Sequence, residues 1–130
     1  MSSDKAKELG LNPIARIKET GVGACHPTIM RISPVPAVKS LLDKSSLAIN
    51  DFELIEANEA FVAQYIGCEN ELGLKREITN INGSGIGLGH SVGSIGSRTI
   101  VTLIHAMKKM AAHWALPRFV GAAVFLKPVQ

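Results

Sequence analysis

The chain has 130 residues, an apolar fraction of 46% and a net charge of +3, which together predict one globular domain with its own hydrophobic core. Its basic residues are scattered rather than gathered into a stripe, which argues against nucleic-acid binding. No apolar stretch approaches the ~20 residues of a membrane span, and no apolar segment near the N-terminus predicts a secretory signal. We therefore expect a cytoplasmic protein that binds neither nucleic acid nor membrane.

The two cysteines, Cys25 and Cys68, form neither a CxxC pair nor a zinc-binding spacing. Two isolated thiols in a chain that is not secreted are expected to be reduced and structural. The sequence therefore predicts no metal site.

The first part of the chain predicts a helix, a strand and a second helix. Residues 2–10 favour a short helix in which Ser3 is the N-cap and Gly10 ends the helix. Residues 14–25 carry β-branched side chains in imperfect alternation, which favours a strand. Pro36 suits the first turn of the next helix, where apolar residues follow at helical spacing.

The rest of the chain continues this alternation. Residues 52–57 favour a strand, residues 59–72 a helix and residues 78–82 another strand. From residue 93 onward, apolar residues at helical spacing predict a buried helix, and residues 111–130 are compatible with one further strand. Alternating strands and helices predict an α/β layered fold.

A glycine-rich segment, residues 83–90, lies between a predicted strand and a predicted helix. It matches neither GxGxxG nor GxxxxGK[ST], so a nucleotide-binding loop is rejected. Glycines also let the backbone approach a ligand closely, and they leave His90 where it could act as a general base near neutral pH. By its position alone, His90 is more simply interpreted as a plain turn residue.

Asn58 opens a second segment, Asn58-Glu59-Ala60-Phe61, at the end of a predicted strand. Strand ends are where α/β folds place groups that bind ligands. Asn58 could also simply cap the following helix, and the residue alone leaves both interpretations open.

Five separated segments together resemble the signature blocks of thiolases in order and spacing. They are residues 5–10, 33–37, 58–61 and 80–83, and Gly89-His90 with Gly93, Gly96 and Arg98. The resemblance covers about residues 1–110. It implies a thiolase-like βαβαβ half-domain with a mixed sheet and helices on its faces. It also implies acyl transfer between coenzyme A thioesters through an acyl-cysteine, in a parent enzyme that is a homo-oligomer and needs no further cofactor.

The resemblance assigns roles to four residues. His90 matches the base that takes the proton from the nucleophilic cysteine. Asn58 matches the asparagine that holds a water and, with that histidine, forms an oxyanion hole. Ala60 and Phe61 match positions that line the channel for the pantetheine arm of coenzyme A.

The chain also departs from the family pattern. Ser91 follows His90, where thiolases usually have proline, and no CxGGG segment follows Met110. The nucleophile belongs to the N-terminal half of a thiolase, which we expect to be missing from this chain. We therefore expect the isolated chain to be inactive. Two alternatives stay open: a subunit of a split thiolase, or a non-catalytic module that binds acyl-CoA or another protein.

We call residues 111–130 the tail. The genetic code suggests why the tail departs from the family pattern. In a shifted reading frame that starts at Trp114, each new codon consists of the last base of one codon and the first two bases of the next. Read in this way, the codons can encode Gly-Phe-Ala-Thr-Leu-Cys-Gly-Gly-Gly-Gly, the missing thiolase ending. We interpret the tail as aberrant, the product of a one- or two-base shift between about Met107 and Trp114. The last two strands of the domain are then expected to be altered or missing.

The frameshift hypothesis predicts the codon of Phe119. Only TTT lets the Phe119–Val120 junction encode cysteine, because TTC would give arginine in the shifted frame. Sequencing the coding DNA decides this, and a TTC codon would contradict the hypothesis.

Overall fold

A computed structural model describes residues 1–130 except Ser84, His90, Val120, Gln130 and the side chain of Phe119. Within this part of the chain, four strands form one mixed sheet in the order β1-β4-β3-β2. The elements, in chain order, are α1 Ser3–Glu8, β1 Ala15–Val22, α2 Pro34–Ser45, β2 Leu54–Ala57, α3 Val62–Leu72, α4 Gly85–Leu88, α5 Ile95–Met110, β3 Ala115–Phe119 and β4 Ala122–Pro128. Short 3-10 turns lie at Pro27–Ile32, Ile49–Asp51 and Arg76–Ile78.

The sheet separates two layers of helices. On one face, α2 and α3 bury a cluster that includes Leu41, Ile55 and Leu116. On the other face, α5 packs on a cluster that includes Leu54 and Leu103. Consecutive residues of a strand point to opposite faces, so β2 is buried on both sides. The predicted α/β class, with a mixed sheet and helices on its faces, is confirmed.

The tail forms the two central strands of this sheet rather than a single strand. β3 runs parallel to β2, and β4 runs antiparallel to both β3 and β1. The long β4 ladder extends from the pair Ala15–Pro128 to the pair Val22–Ala122. The prediction of one strand is therefore wrong, and the last two strands are present rather than missing.

Most predicted helices are confirmed, with shifted starts. The N-cap of α1 is Ser2 rather than Ser3, and its hydroxyl accepts a hydrogen bond from the Lys5 backbone N–H at 3.2 Å. α2 begins at Pro34, so Pro36 is its third residue. α3 begins at Val62, three residues later than predicted, because the chain bends at residues 60 and 61 after leaving the sheet, and Phe61 is still extended.

The predicted strand at residues 78–82 is wrong. Only a single bridge, between Ile55 and Thr79, joins this segment to the sheet. At the next residue, Asn80, the backbone turns into the left-handed region with φ 53°. The Asn80 side chain then takes the place of a strand neighbour: its Oδ1 accepts from Ala57 N at 2.7 Å, and its Nδ2 donates to Ala57 O at 2.9 Å.

Two residues of the tail fit their surroundings poorly. Pro117 lies in β3 between two other strands, and the pairs of β3 with β4 skip it, since proline has no N–H to donate. Arg118 is 1% exposed, and its Nε and Nη2 have no hydrogen-bond partner among the described residues. An unpaired buried cation is costly. The shifted reading frame remains a prediction about the DNA.

Replacing Arg118 with an apolar side chain should stabilise the fold. We expect Arg118→Met to raise the free energy of unfolding by about 1–4 kcal/mol, because an unpaired guanidinium leaves the core and the side-chain volume is nearly kept. Urea unfolding measures the change. Arg16→Met, on the exposed face of β1, is the matched control and should change little. An equal or lower stability of Arg118→Met would contradict the burial argument.

Candidate functional site

A cavity of about 810 Å³ opens where β2 ends. Its walls come from the segment that follows β2, residues 58–61, from glycine-rich backbone between Gly85 and Gly96, and from Arg31. A second cavity of about 380 Å³ lies near His113, at the C-terminal end of α5, and contains none of the predicted site residues. Loops at strand ends provide ligand groups in α/β folds, so the larger cavity is the candidate site.

Three of the four predicted site residues lie together at this cavity: Asn58, Ala60 and Phe61. The fourth, His90, lies outside the described residues, so its role stays a prediction. Its chain neighbour Gly89 lines the same cavity. The structure thus joins two segments about thirty residues apart that the resemblance had linked only by pattern.

Asn58 does not cap a helix. The N-cap of α3 is Phe61, which makes no side-chain capping bond. The backbone N–H of Asn58 instead continues the sheet by donating to Arg118 O at 3.3 Å. Its side-chain Oδ1 accepts from Arg98 Nη2, also at 3.3 Å. The capping interpretation of Asn58 is therefore wrong.

Glu59 holds the walls of the cavity together. Its Oε1 accepts from Asn80 Nδ2 at 2.7 Å, and its Oε2 accepts from the Gly85 backbone N–H at 2.5 Å. A Cβ atom at Gly85 would lie 3.3 Å from Glu59 Oε2 and 3.4 Å from both Asn58 Oδ1 and Arg98 Nη2. Glycine therefore lets this backbone approach three polar side chains at once.

Beneath the cavity lies a buried ion pair. Glu56 is 3% exposed, and its Oε1 is 3.2 Å from Arg98 Nη1. Burial raises the pKa of Glu56 above its ordinary value of 4.5, while the charge and the hydrogen bond of Arg98 oppose this rise. The sequence analysis gave neither residue a role. The available signal was that Glu56 lies within an apolar segment that predicts a strand, since glutamate is rarely buried without a partner.

The rim of the cavity combines a cation with an aromatic ring. The guanidinium carbon of Arg31 lies 3.7 Å from the centre of the Phe61 ring, and Phe61 is 51% exposed. Such stacking keeps the guanidinium over the ring while its N–H groups stay available. Arg31 was not singled out from the sequence.

Neither cysteine lines this cavity. Cys68 is fully buried in the core beside α2. The Sγ of Cys25 donates to Ile29 O at 3.2 Å, and neither thiol is among the residues that line the cavity. Within the described part of the chain, no cluster of three or more His, Cys, Asp or Glu could hold a metal ion, and no helix is long and apolar enough to cross a membrane.

Comparison with known proteins gives a consistent result. The family described as "Thiolase, C-terminal domain" matches residues 11–123. An acetyl-CoA acetyltransferase of Chromobacterium violaceum is 46% identical over 112 residues, which cover 86% of this chain and 29% of that protein. The crystal structure of the Bacillus anthracis acetyl-CoA acetyltransferase superposes with a TM-score of 0.91 at 44% identity, covering 99% of this chain and 34% of the other.

The chain is also similar to a 3-ketoacyl-CoA thiolase. The human mitochondrial 3-ketoacyl-CoA thiolase, solved in complex with CoA, superposes with a TM-score of 0.92 at 37% identity, covering 99% of this chain and 34% of that one. The chain thus spans about a third of the length of the proteins that it matches. With a family match over most of its residues and relatives well above 30% identity, this chain belongs to the thiolase family and corresponds to its C-terminal domain.

Proposed function

We propose that the chain forms one side of an acyl-CoA site and takes part in acyl transfer between coenzyme A thioesters. The observation that carries the proposal is the meeting of Asn58, Ala60 and Phe61 at one cavity, next to the glycine-rich backbone that leads to His90. Coenzyme A thioesters are the substrates, and no additional cofactor is required by this chemistry.

The proposed roles follow from the polarity of each group. A cysteine thiolate attacks the carbonyl carbon of the thioester, and negative charge develops on the carbonyl oxygen. The Asn58 amide, acting through a water, and His90 donate hydrogen bonds to that oxygen. His90 first takes the proton of the cysteine and then returns it to the sulfur of coenzyme A as that group leaves.

The cavity suits a ligand with an apolar or amide-bearing arm and an anionic end. Ala60 leaves room beside the chain, and Phe61 offers an exposed ring against which such an arm can pack. Arg31 places a positive charge at the rim, where it can attract phosphate groups. The human mitochondrial 3-ketoacyl-CoA thiolase, which was solved in complex with CoA, supports this choice of ligand.

The nucleophile must come from elsewhere. Neither Cys25 nor Cys68 lines the cavity, so we infer that another segment or a partner chain supplies the reactive cysteine. The natural source is the N-terminal part of a thiolase, in an assembly that is homo-oligomeric in the parent enzyme. The isolated chain is then expected to bind coenzyme A thioesters without turning them over.

Binding of coenzyme A tests the proposal. We expect Phe61→Ala to weaken CoA binding roughly three- to thirtyfold, because about half of a ring's apolar contact would be lost. Isothermal titration calorimetry on the purified chain measures this. Val101→Ala is the matched control, since Val101 is 53% exposed on α5 and does not line the cavity. Absence of CoA binding, or equal effects of the two substitutions, would contradict the proposed site.

A further inference from the structure

We propose that Arg98 is a positioning residue that fixes the orientation of the Asn58 amide and so aims its N–H₂ group at the ligand. The inference rests on the proposed function, which gives Asn58 the task of donating a hydrogen bond. It goes beyond that function by naming the group that makes Asn58 a donor.

The place of Arg98 is unfavourable for helix stability alone. It lies in the first turn of α5, where the positive end of the helix dipole repels a cation. Its side chain is only 18% exposed, and burying a guanidinium costs free energy unless it is paired. The contacts of the Arg98 side chain with Glu56 and Asn58 therefore stabilise it here, and its own helix does not.

Glu56 provides the charge that keeps Arg98 there. Its Oε1 lies 3.2 Å from Arg98 Nη1. The other nearby carboxylate, Glu59, is already engaged at both oxygens, by Asn80 and by the Gly85 backbone. Glu56 is therefore the partner that anchors the guanidinium, while Glu59 fixes the loop above it.

The anchored guanidinium decides which way the Asn58 amide faces. Arginine has only donors, so the atom that contacts Arg98 Nη2 at 3.3 Å must be the acceptor, Oδ1. The reverse orientation would set the amide N–H₂ against another N–H group. Among the described residues, the Asn58 side chain makes one hydrogen bond, the one that Oδ1 accepts from Arg98, and Asn58 lines the cavity. The free donor is therefore the group offered to a ligand.

Two readouts on the purified chain test this positioning. The first needs no ligand: the heteronuclear NOE of the Asn58 side-chain amide reports its order, with the exposed Asn70 as an internal reference for a mobile amide. The second compares the affinities for acetyl-CoA and CoA. The thioester carbonyl of acetyl-CoA can accept a hydrogen bond from the water that the Asn58 amide holds, whereas CoA has no thioester carbonyl.

Arg98→Met should release the Asn58 amide. We expect its NOE to fall toward that of Asn70, and the preference for acetyl-CoA over CoA to drop roughly three- to tenfold, the worth of one hydrogen bond. CoA affinity itself should stay within about twofold, since that ligand lacks the carbonyl. Arg98→Lys, which keeps a donor and the charge, should restore part of both signals.

The matched control is Arg76→Met. It removes an ion pair in which Arg76 Nε and Nη2 donate to Glu69 Oε1 and Oε2 at 2.7 and 2.8 Å. It should leave both readouts unchanged. If Arg98→Met fails to fold, the double variant Glu56→Gln/Arg98→Met removes both charges and gives the same readouts. A folded Arg98 variant with an ordered Asn58 amide and an unchanged acetyl-CoA preference would overturn the proposal. If the wild-type chain binds neither thioester nor CoA, the proposed function fails, and the ligand-free NOE still decides the role of Arg98.

Discussion

The site depends on the alternation of side chains along β2. Glu56 and Asn58 are two residues apart, and the backbone of Asn58 still belongs to the ladder through its bond to Arg118 O. Both side chains therefore point to the α5 face of the sheet, where Arg98 can reach them together. A shift of one residue in the pairing of β2 with β3 would turn both groups away from α5. The register of this short parallel pair thus determines whether the amide has its partner.

The loops above β2 are built on the same strand end. Asn80 binds both backbone groups of Ala57 in place of a further strand, and Glu59 connects Asn80 to Gly85. These hydrogen bonds connect the end of β2, the turn at Asn80 and the start of α4. Such side-chain ties cost free energy if one member is left unpaired. The network is therefore expected to act as a unit, so that loss of one carboxylate would disturb the whole cavity wall.

Part of this arrangement could be predicted from the sequence and part could not. Asn58 was found because it opens a motif at a predicted strand end, whereas Ala60 and Phe61 were found only through the resemblance to thiolases. The pair Glu56–Arg98 was missed because its members are 42 residues apart and belong to different elements, so periodicity within one element carries no sign of it. The strand predicted at residues 78–82 failed because the Asn80 side chain competes with the backbone for the same hydrogen bonds.

The tail shows the converse limit, since its strands owe their place to partners far along the chain. Pro117 argues locally against a central strand, yet β1 and β2 flank β3 and β4, and helices cover them.

In the proposed function, the Asn58 side of the site serves a nucleophile from another segment. The most direct test is to mix the chain with the separately produced N-terminal part of a thiolase relative, add acetyl-CoA, and measure acetylation of its cysteine by mass spectrometry. The account predicts acetylation that requires this chain and falls when Asn58→Asp replaces it. Acetylation that is equal without the chain, or unaffected by Asn58→Asp, would contradict it.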